Sequence, residues 1–79
     1  VTVYTKPACP GCKFTKRKLD DLNIPYDTVE LETDPDAVEY IKSLGYSSAP
    51  VVVVDLGDGA TWTWSGYSPS QIDKLRQAA

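Results

Sequence analysis

The chain of 79 residues has no histidine, no methionine and only two cysteines, and it has no apolar run approaching the length of a bilayer. Without histidine or further cysteines, one chain cannot complete the four-ligand site of a structural zinc ion. A membrane-spanning helix needs about 20 apolar residues, so a membrane protein is not expected. Eight basic residues against eleven acidic ones give a net charge of −3, which argues against a nucleic-acid-binding protein.

The length and composition predict one folded domain over residues 1–79. Chains of this size hold a single core, and 42% hydrophobic with 24% charged residues is ordinary for a globular protein. We find no charged segment followed by an apolar stretch of the kind that makes a secretory signal. A cytoplasmic monomer is therefore expected.

The charges are unevenly distributed along the chain. Residues 1–18 hold five basic and no acidic side chains, whereas residues 19–79 hold three basic and eleven acidic ones. Within the basic segment, Lys16, Arg17 and Lys18 are consecutive. A solvated helix face is the simplest interpretation of these three residues, and docking of a partner is the alternative.

The first half of the chain predicts two strands, each followed by a helix. Alternating β-branched and aromatic residues favour strands over residues 1–5 and 26–31. Between them, Pro10 suits the first position of a helix that continues to Asn23. The apolar stripe predicted for this helix consists of Phe14, Leu19 and Leu22. In the second helix, we expect Asp34 as the N-cap, Pro35 at the first position and Gly45 just after the end.

The second half of the chain predicts a hairpin and a closing helix. The continuous valine run at residues 51–54 is typical of a central strand that is covered on both faces. Residues 55–59 have turn composition, and Trp62 and Trp64 alternate with threonines in the return strand. A last helix begins at the Ser-Pro-Ser-Gln segment, residues 68–71. Its core-facing residues are predicted to be Ile72, Leu75 and Ala78.

The element order is therefore βαβαββα, which belongs to the α/β class. A strand, a helix and a second strand in succession favour a parallel strand pair, and the hairpin adds two more strands. We expect a four-stranded mixed sheet flanked by three helices, with side chains packed on both faces of the sheet.

The Cys-Pro-Gly-Cys motif of residues 9–12 lies where the first strand leads into the first helix. Cys9 would be the N-cap, beside the free N–H groups and the positive end of the helix dipole, where thiols ionise more easily. Cys12 lies one turn further and within reach, so it is the natural resolving thiol. A bridge across three positions adds little loop-closure entropy, and this closeness favours reversible redox chemistry.

Two other interpretations of the cysteine pair stay open. A zinc site shared between two chains would make the chain a metal-binding or adaptor module, and two inert core cysteines would carry no chemistry. The proline before the valine run, Pro50, is an ordinary residue for a strand entry. Aromatic residues in a hairpin usually pack in the core or across strands, which is the interpretation for Trp62, Trp64 and Tyr67. Because Tyr67 follows a turn at Gly66, an outward partner anchor is the alternative for this residue.

The segment Val-Tyr-Thr-Lys-Pro-Ala-Cys-Pro-Gly-Cys, residues 3–12, resembles glutaredoxins, and residues 48–51 resemble their cis-proline segment. The Trp-Ser-Gly-Tyr segment of residues 64–67 is more similar to NrdH-redoxins, a glutaredoxin-like family that behaves like thioredoxins. The resemblance covers the whole chain. It implies a thioredoxin fold, a cis Ala49–Pro50 bond, Cys9 as the attacking thiol and Cys12 as the resolving thiol.

The resemblance also implies partners and a binding surface. NrdH-redoxins take electrons from NADPH through thioredoxin reductase and pass them to class Ib ribonucleotide reductase, which supports deoxyribonucleotide synthesis. No cofactor is expected in the chain itself, because the electrons reside in the two sulfurs. The implied substrate-binding residues are Lys6, Pro10, Gly11, Ala49, Pro50, Trp64, Ser65, Gly66 and Tyr67.

The chain departs from NrdH-redoxins in two places and from glutaredoxins proper in one. NrdH-redoxins usually carry a bulky residue and a glutamine between the cysteines, where this chain has Pro10 and Gly11, and they carry an arginine where this chain has Ser68. Glutaredoxins proper have a second glycine and an acid after the hairpin to hold glutathione, whereas Gly66 stands alone here. The alternative function is a glutaredoxin or mycoredoxin that uses a low-molecular-weight thiol.

Overall fold

A computed structural model describes residues 1–57 and 59–78 of the chain. Asp58 in the predicted turn, Ala79 at the end of the predicted domain and the side chain of Ala78 lie outside the described residues. The strands are β1 (Thr2–Thr5), β2 (Asp27–Glu30), β3 (Val51–Asp55) and β4 (Thr61–Ser65). The helices are α1 (Pro10–Asp21), α2 (Pro35–Ser43) and α3 (Pro69–Ala78). This order confirms the predicted βαβαββα arrangement.

The four strands form one mixed sheet in the order β2-β1-β3-β4. β1 pairs in parallel with β2, and β3 pairs antiparallel with both β1 and β4. The valine run therefore lies in a central strand, as predicted. Because side chains alternate along a strand, Val51 and Val52 point to opposite faces of the sheet and join two separate clusters.

Hydrophobic clusters cover the two faces of the sheet. α1 and α3 pack on one face through Val3, Leu19, Val52, Val54, Trp64, Ile72 and Leu75. α2 packs on the other face through Leu31, Ala37, Ile41 and Val51. An ion pair also joins α1 to α3, with Lys18 Nζ 3.4 Å from Asp73 Oδ1.

Within the described part of the chain, no helix is long and apolar enough to cross a membrane.

The apolar stripe predicted for α1 is wrong at Phe14. The buried side chains of α1 are Cys12, Thr15 and Leu19, at the three- and four-residue spacing of one helix face. Phe14 precedes Leu19 by five residues, which places it about 140° around the helix axis. Its side chain is 52% exposed as a consequence.

Local signals set the ends of the first two helices. The Asp34 carboxylate accepts the N–H of Ala37 at 3.1 Å, and Gly45 has φ +91° after the last turn of α2, as predicted. α1 ends at Asp21, two residues earlier than predicted. The reason is Asn23, which has φ +57°; asparagine is one of the few residues that adopt this left-handed conformation readily.

Candidate active site

The cysteine pair lies at the junction of a central strand and a helix. β1 ends at Thr5, a short loop follows, and Cys9 is the N-cap of α1. The Cys9 Sγ accepts a hydrogen bond from the backbone N–H of Cys12 at 3.2 Å, because the first N–H groups of a helix have no partner within the helix. The Cys9 carbonyl accepts the N–H of Lys13 at 3.2 Å and starts the helical pattern.

The two cysteines form a disulfide, with their Cα atoms 5.3 Å apart. They differ in burial, since Cys12 is only 2% exposed whereas Cys9 is partly exposed. Cys9 is therefore the cysteine that a partner can reach, whereas Cys12 has almost no exposed surface. The same N–H group that contacts the Cys9 sulfur would donate to its thiolate after reduction, and hydrogen bonds to a charged form stabilise it.

The residue before the attacking cysteine has an unusual backbone. Ala8 has φ +54°, in the left-handed region that a side chain with a Cβ atom rarely adopts. This conformation turns the chain from β1 into α1 and aims Cys9 at the start of the helix. Nothing in the sequence signals it, because alanine has no preference for positive φ.

The cis-proline segment lies directly against the cysteine motif. The Ala49–Pro50 bond is cis, as the family resemblance implies, and Pro50 is buried at the start of β3. A Cβ atom on Gly11 would lie 3.2 Å from the Pro50 Cδ and 3.8 Å from the Tyr67 Cβ. The fold thus brings together three regions that are far apart in the sequence.

The Trp-Ser-Gly-Tyr segment is attached to the cis-proline segment by hydrogen bonds. The Gly66 N–H donates to the Pro50 carbonyl at 2.8 Å, and the Ser65 hydroxyl donates to the Ser48 carbonyl at 3.4 Å. Gly66 has φ +82°, so the turn at this point requires a glycine. These contacts place Tyr67, which is 43% exposed, beside Gly11.

Trp64 is a correction to the predicted substrate-binding set. Its side chain is 5% exposed and lies in the cluster under α1 and α3, so it has almost no surface to offer a substrate. Its ring packs on Trp62 with 4.9 Å between the centroids. Its buried Nε1 donor has no hydrogen-bond partner among the described residues. Trp64 therefore supports the neighbouring loop from the core.

A surface cleft of about 670 Å³ opens beside the two sulfurs. We call it the basic cleft, because three lysines border it. Its lining residues are Thr5, Lys6, Ala8, Cys9, Pro10, Cys12, Lys13, Phe14 and Lys16. Lys6 and Pro10, which the family resemblance implies as substrate-binding residues, both border this cleft.

An exposed aromatic pair adjoins the basic cleft. The ring of Phe14, which borders the cleft, packs on the ring of Tyr67 with 5.7 Å between the centroids. Arg17, Lys18 and Asp21 lie along the far side of the pair. The sequence analysis assigns Phe14 to the apolar stripe of α1. The 140° offset from Leu19 is the sequence feature that could have indicated that Phe14 and Leu19 lie on different faces of the helix.

Two tyrosines outside the site have raised pKa values. Burial raises the pKa of Tyr4 above 10.0, with smaller contributions from Tyr40 and the Asp34 carboxylate. Burial also raises the pKa of Tyr26, helped by a hydrogen bond to Asp20. Across residues 1–57 and 59–78, no group of three or more cysteine or carboxylate side chains converges in a way that could hold a metal ion.

The site has a reachable cysteine at a helix N-cap, a buried partner one turn later and a cis-proline packed against the motif at Gly11. This arrangement is that of a thiol–disulfide oxidoreductase. Comparison with known proteins agrees. The glutaredoxin family model matches residues 1–56. The glutaredoxin-like protein NrdH of Lactococcus lactis is 35% identical over 75 residues, which cover 95% of this chain and 97% of that protein. The NrdH protein of Escherichia coli is 31% identical over 78 residues, or 99% and 90% of the two chains.

The solved structure of NrdH-redoxin from Escherichia coli, described as having a thioredoxin-like activity profile, superposes with a TM-score of 0.79. That match has 31% identity and covers 94% of this chain and 91% of the other. The expected thioredoxin-like fold is therefore confirmed. The chain belongs to the glutaredoxin family and, within it, to the NrdH glutaredoxin-like proteins.

Proposed function

We propose that this protein is a cytoplasmic, monomeric dithiol electron donor, which thioredoxin reductase reduces and which in turn reduces class Ib ribonucleotide reductase. The observation that carries the proposal is the pairing of a reachable Cys9 with a buried Cys12 in a chain related to NrdH proteins. The thioredoxin-like activity of the related Escherichia coli protein supports thioredoxin reductase as the source of electrons.

The geometry supports a two-step exchange. The thiolate of Cys9 attacks one sulfur of the target disulfide, which forms a mixed disulfide and releases the other target sulfur. Cys12 then attacks the sulfur of Cys9, closes the Cys9–Cys12 bridge and releases the second target sulfur. Two electrons pass to the target, and the two thiol protons end on the target's thiols.

The residues around the cysteines position the target rather than react. Pro50 and Tyr67 form the wall beside Gly11, and the basic cleft lies on the other side of the motif. The exchange needs no bound cofactor, because the two sulfurs hold the electrons. NADPH serves the upstream reductase.

The test is NADPH consumption when the oxidised protein is offered thioredoxin reductase, compared with glutathione and glutathione reductase. We expect fast consumption with thioredoxin reductase, followed by reduction of a class Ib ribonucleotide reductase. Consumption only in the presence of the low-molecular-weight thiol would overturn the proposal in favour of a glutaredoxin or mycoredoxin.

The Cys12→Ser variant separates the same two functions by mechanism. A dithiol donor needs Cys12 to release the mixed disulfide, so the variant should lose turnover on protein disulfides and accumulate a covalent adduct through Cys9. Full activity of Cys12→Ser on glutathione-type mixed disulfides would indicate the monothiol mechanism instead. The Cys9→Ser variant serves as the inactive control in both assays.

A further inference from the structure

The three lysines of the basic cleft have no ionic partner among residues 1–57 and 59–78. In this part of the chain, the only ion pair within 4.0 Å joins Lys18 to Asp73, outside the cleft. None of the residues that line the cleft is acidic. Lys6, Lys13 and Lys16 therefore direct uncompensated positive charge at the opening through which a target disulfide reaches Cys9.

The sign of this charge is opposite to that of the whole chain. The protein carries a net charge of −3, so the cleft is a local positive region on an acidic molecule. Residues 19–79, which hold three basic and eleven acidic side chains, repel an acidic partner, whereas the cleft attracts it. Such an arrangement orients the partner toward the cleft and also raises the rate at which the two proteins meet.

The second feature is the aromatic pair beside the cleft. Phe14 is 52% exposed and Tyr67 is 43% exposed, and their rings contact each other next to the three lysines. Exposed aromatic side chains in contact are typical anchors for a partner's apolar side chain. A segment that crosses this region meets positive charge on one side and an aromatic surface on the other.

We propose that the basic cleft and the aromatic pair select disulfides carried on an acidic polypeptide segment with an apolar side chain near its cysteines. The carboxylates of the segment lie against Lys6, Lys13 and Lys16, and the apolar side chain lies on Phe14 and Tyr67. The inference rests on the dithiol exchange proposed above. It adds the chemical class of the polypeptide segment that carries the target disulfide.

The exchange itself is unchanged by this selection. Cys9 forms the mixed disulfide with one cysteine of the segment, and Cys12 displaces it, so the segment leaves with two thiols and the protein keeps the disulfide. The lysines act before bond formation, by raising the rate of productive encounter. A salt-dependent rate is the signature of that role, because screening weakens attraction between exposed charges.

The experiment compares three oxidised peptides with the same Cys-Leu-Ser-Cys core, flanked on both sides by glutamate, glutamine or lysine. The measurement is the second-order rate constant for their reduction by the reduced protein in stopped flow. At about 10 mM salt, we expect the glutamate peptide to react about tenfold faster than the glutamine peptide, and the lysine peptide to be slowest. At about 1 M salt, where the Debye length falls to about 3 Å, the three rates should converge.

Two charge-reversed variants locate the effect. The double variant Lys13→Glu and Lys16→Glu changes the cleft, and the matched control Lys42→Glu and Lys74→Glu makes the same change in net charge at exposed positions on α2 and α3. We expect the cleft variant to prefer the lysine peptide and the control to keep the preference for the glutamate peptide. Equal rates for the three peptides, or equal loss of preference in both variants, would overturn the inference.

A neutral small disulfide, hydroxyethyl disulfide, separates this inference from the proposed function. Each peptide rate is divided by the rate on this compound, which corrects for any change in the reactivity of Cys9 itself. A wild-type protein that reduces the neutral disulfide but shows no order among the peptides would contradict only the charge selection. A protein that reduces none of the four compounds would contradict the dithiol exchange and the inference together.

Discussion

Gly11 lies so close to Pro50 that a Cβ atom on the glycine would be 3.2 Å from the proline Cδ. One residue belongs to the first turn of α1 and the other to the entry of β3, 39 positions later. The contact holds the cysteine motif against the cis-proline segment. It also explains why the smallest residue is suited to this position between the two cysteines.

The Gly11→Ala variant should therefore lack the stability that alanine normally adds to a helix. Alanine in place of glycine stabilises an exposed helix position by about 1 kcal/mol, but here the new methyl group presses on Pro50. We expect a smaller gain or a loss in the free energy of unfolding, measured in urea, together with slower reduction of a protein disulfide. A full gain with an unchanged rate would show that Pro50 yields without consequence.

The left-handed conformation of Ala8 predicts an unusual response to glycine. Replacing alanine by glycine normally costs about 0.5–1 kcal/mol through the entropy of the unfolded chain. At Ala8, relief of the Cβ clash at φ +54° should offset that cost. We therefore expect the free energy of unfolding of the Ala8→Gly variant, measured in urea, to lie within about 0.5 kcal/mol of the wild-type value.

The control for this variant is Ala60→Gly, at an exposed alanine outside the left-handed region. It should lose the ordinary amount of stability in the same urea titration. If both variants lost the same free energy of unfolding, the left-handed conformation of Ala8 would not destabilise the wild-type protein as expected.

The N–H of Cys12 and the burial of its side chain predict different reactivities for the two reduced cysteines. Cys9 should be alkylated by iodoacetamide at a lower pH than Cys12, because its thiolate has a backbone donor at 3.2 Å and is reachable. The measurement is mass spectrometry of the modified peptides after short exposures between about pH 5 and pH 9. The Cys12→Ser variant should keep the fast reaction, and the Cys9→Ser variant should lose it.

The raised pKa of Tyr4 predicts a loss of stability in alkaline solution. In the unfolded chain the phenol ionises near 10.0, whereas burial, Tyr40 and Asp34 keep it protonated to a higher pH in the folded protein. The stabilisation is therefore complete below pH 10 and is lost as the pH rises through the folded-state pKa. The Tyr4→Phe variant should lose less unfolding free energy between about pH 9 and pH 11 than the wild type. Parallel pH profiles of the two proteins would contradict this assignment.

The features that could be predicted from the sequence are those that neighbouring residues determine. Asp34, Pro35 and Gly45 determine the ends of α2 through contacts within a few residues, and the valine run identifies the central strand by its apolar character alone. The position of Cys9 at the N-cap follows in the same way from Pro10. Family resemblance supplied the cis Ala49–Pro50 bond, which local composition leaves undecided.

The remaining features depend on tertiary packing or on backbone conformations without a residue signature. The exposure of Phe14 depends on which face of α1 meets the sheet. The 140° offset separates Phe14 from Leu19, but only the packing shows that Leu19 lies on the buried face. The contact of Gly11 with Pro50 joins segments that sequence patterns treat separately. The positive charge of residues 1–18 is visible in the sequence, but only the fold shows that lysines from the loop and from α1 border one opening beside the cysteines.

The ring that Cys9 and Cys12 close is contained within a single helical turn. Every strand pairing of the sheet and the α1–α3 ion pair lie outside this ring, so opening the ring breaks none of these connections. The bond that breaks and forms in a two-electron exchange is therefore confined to one turn of the chain, and the pairings that hold the sheet do not involve its residues. The segment whose covalent bonding changes is thus distinct from the segments that hold the sheet together.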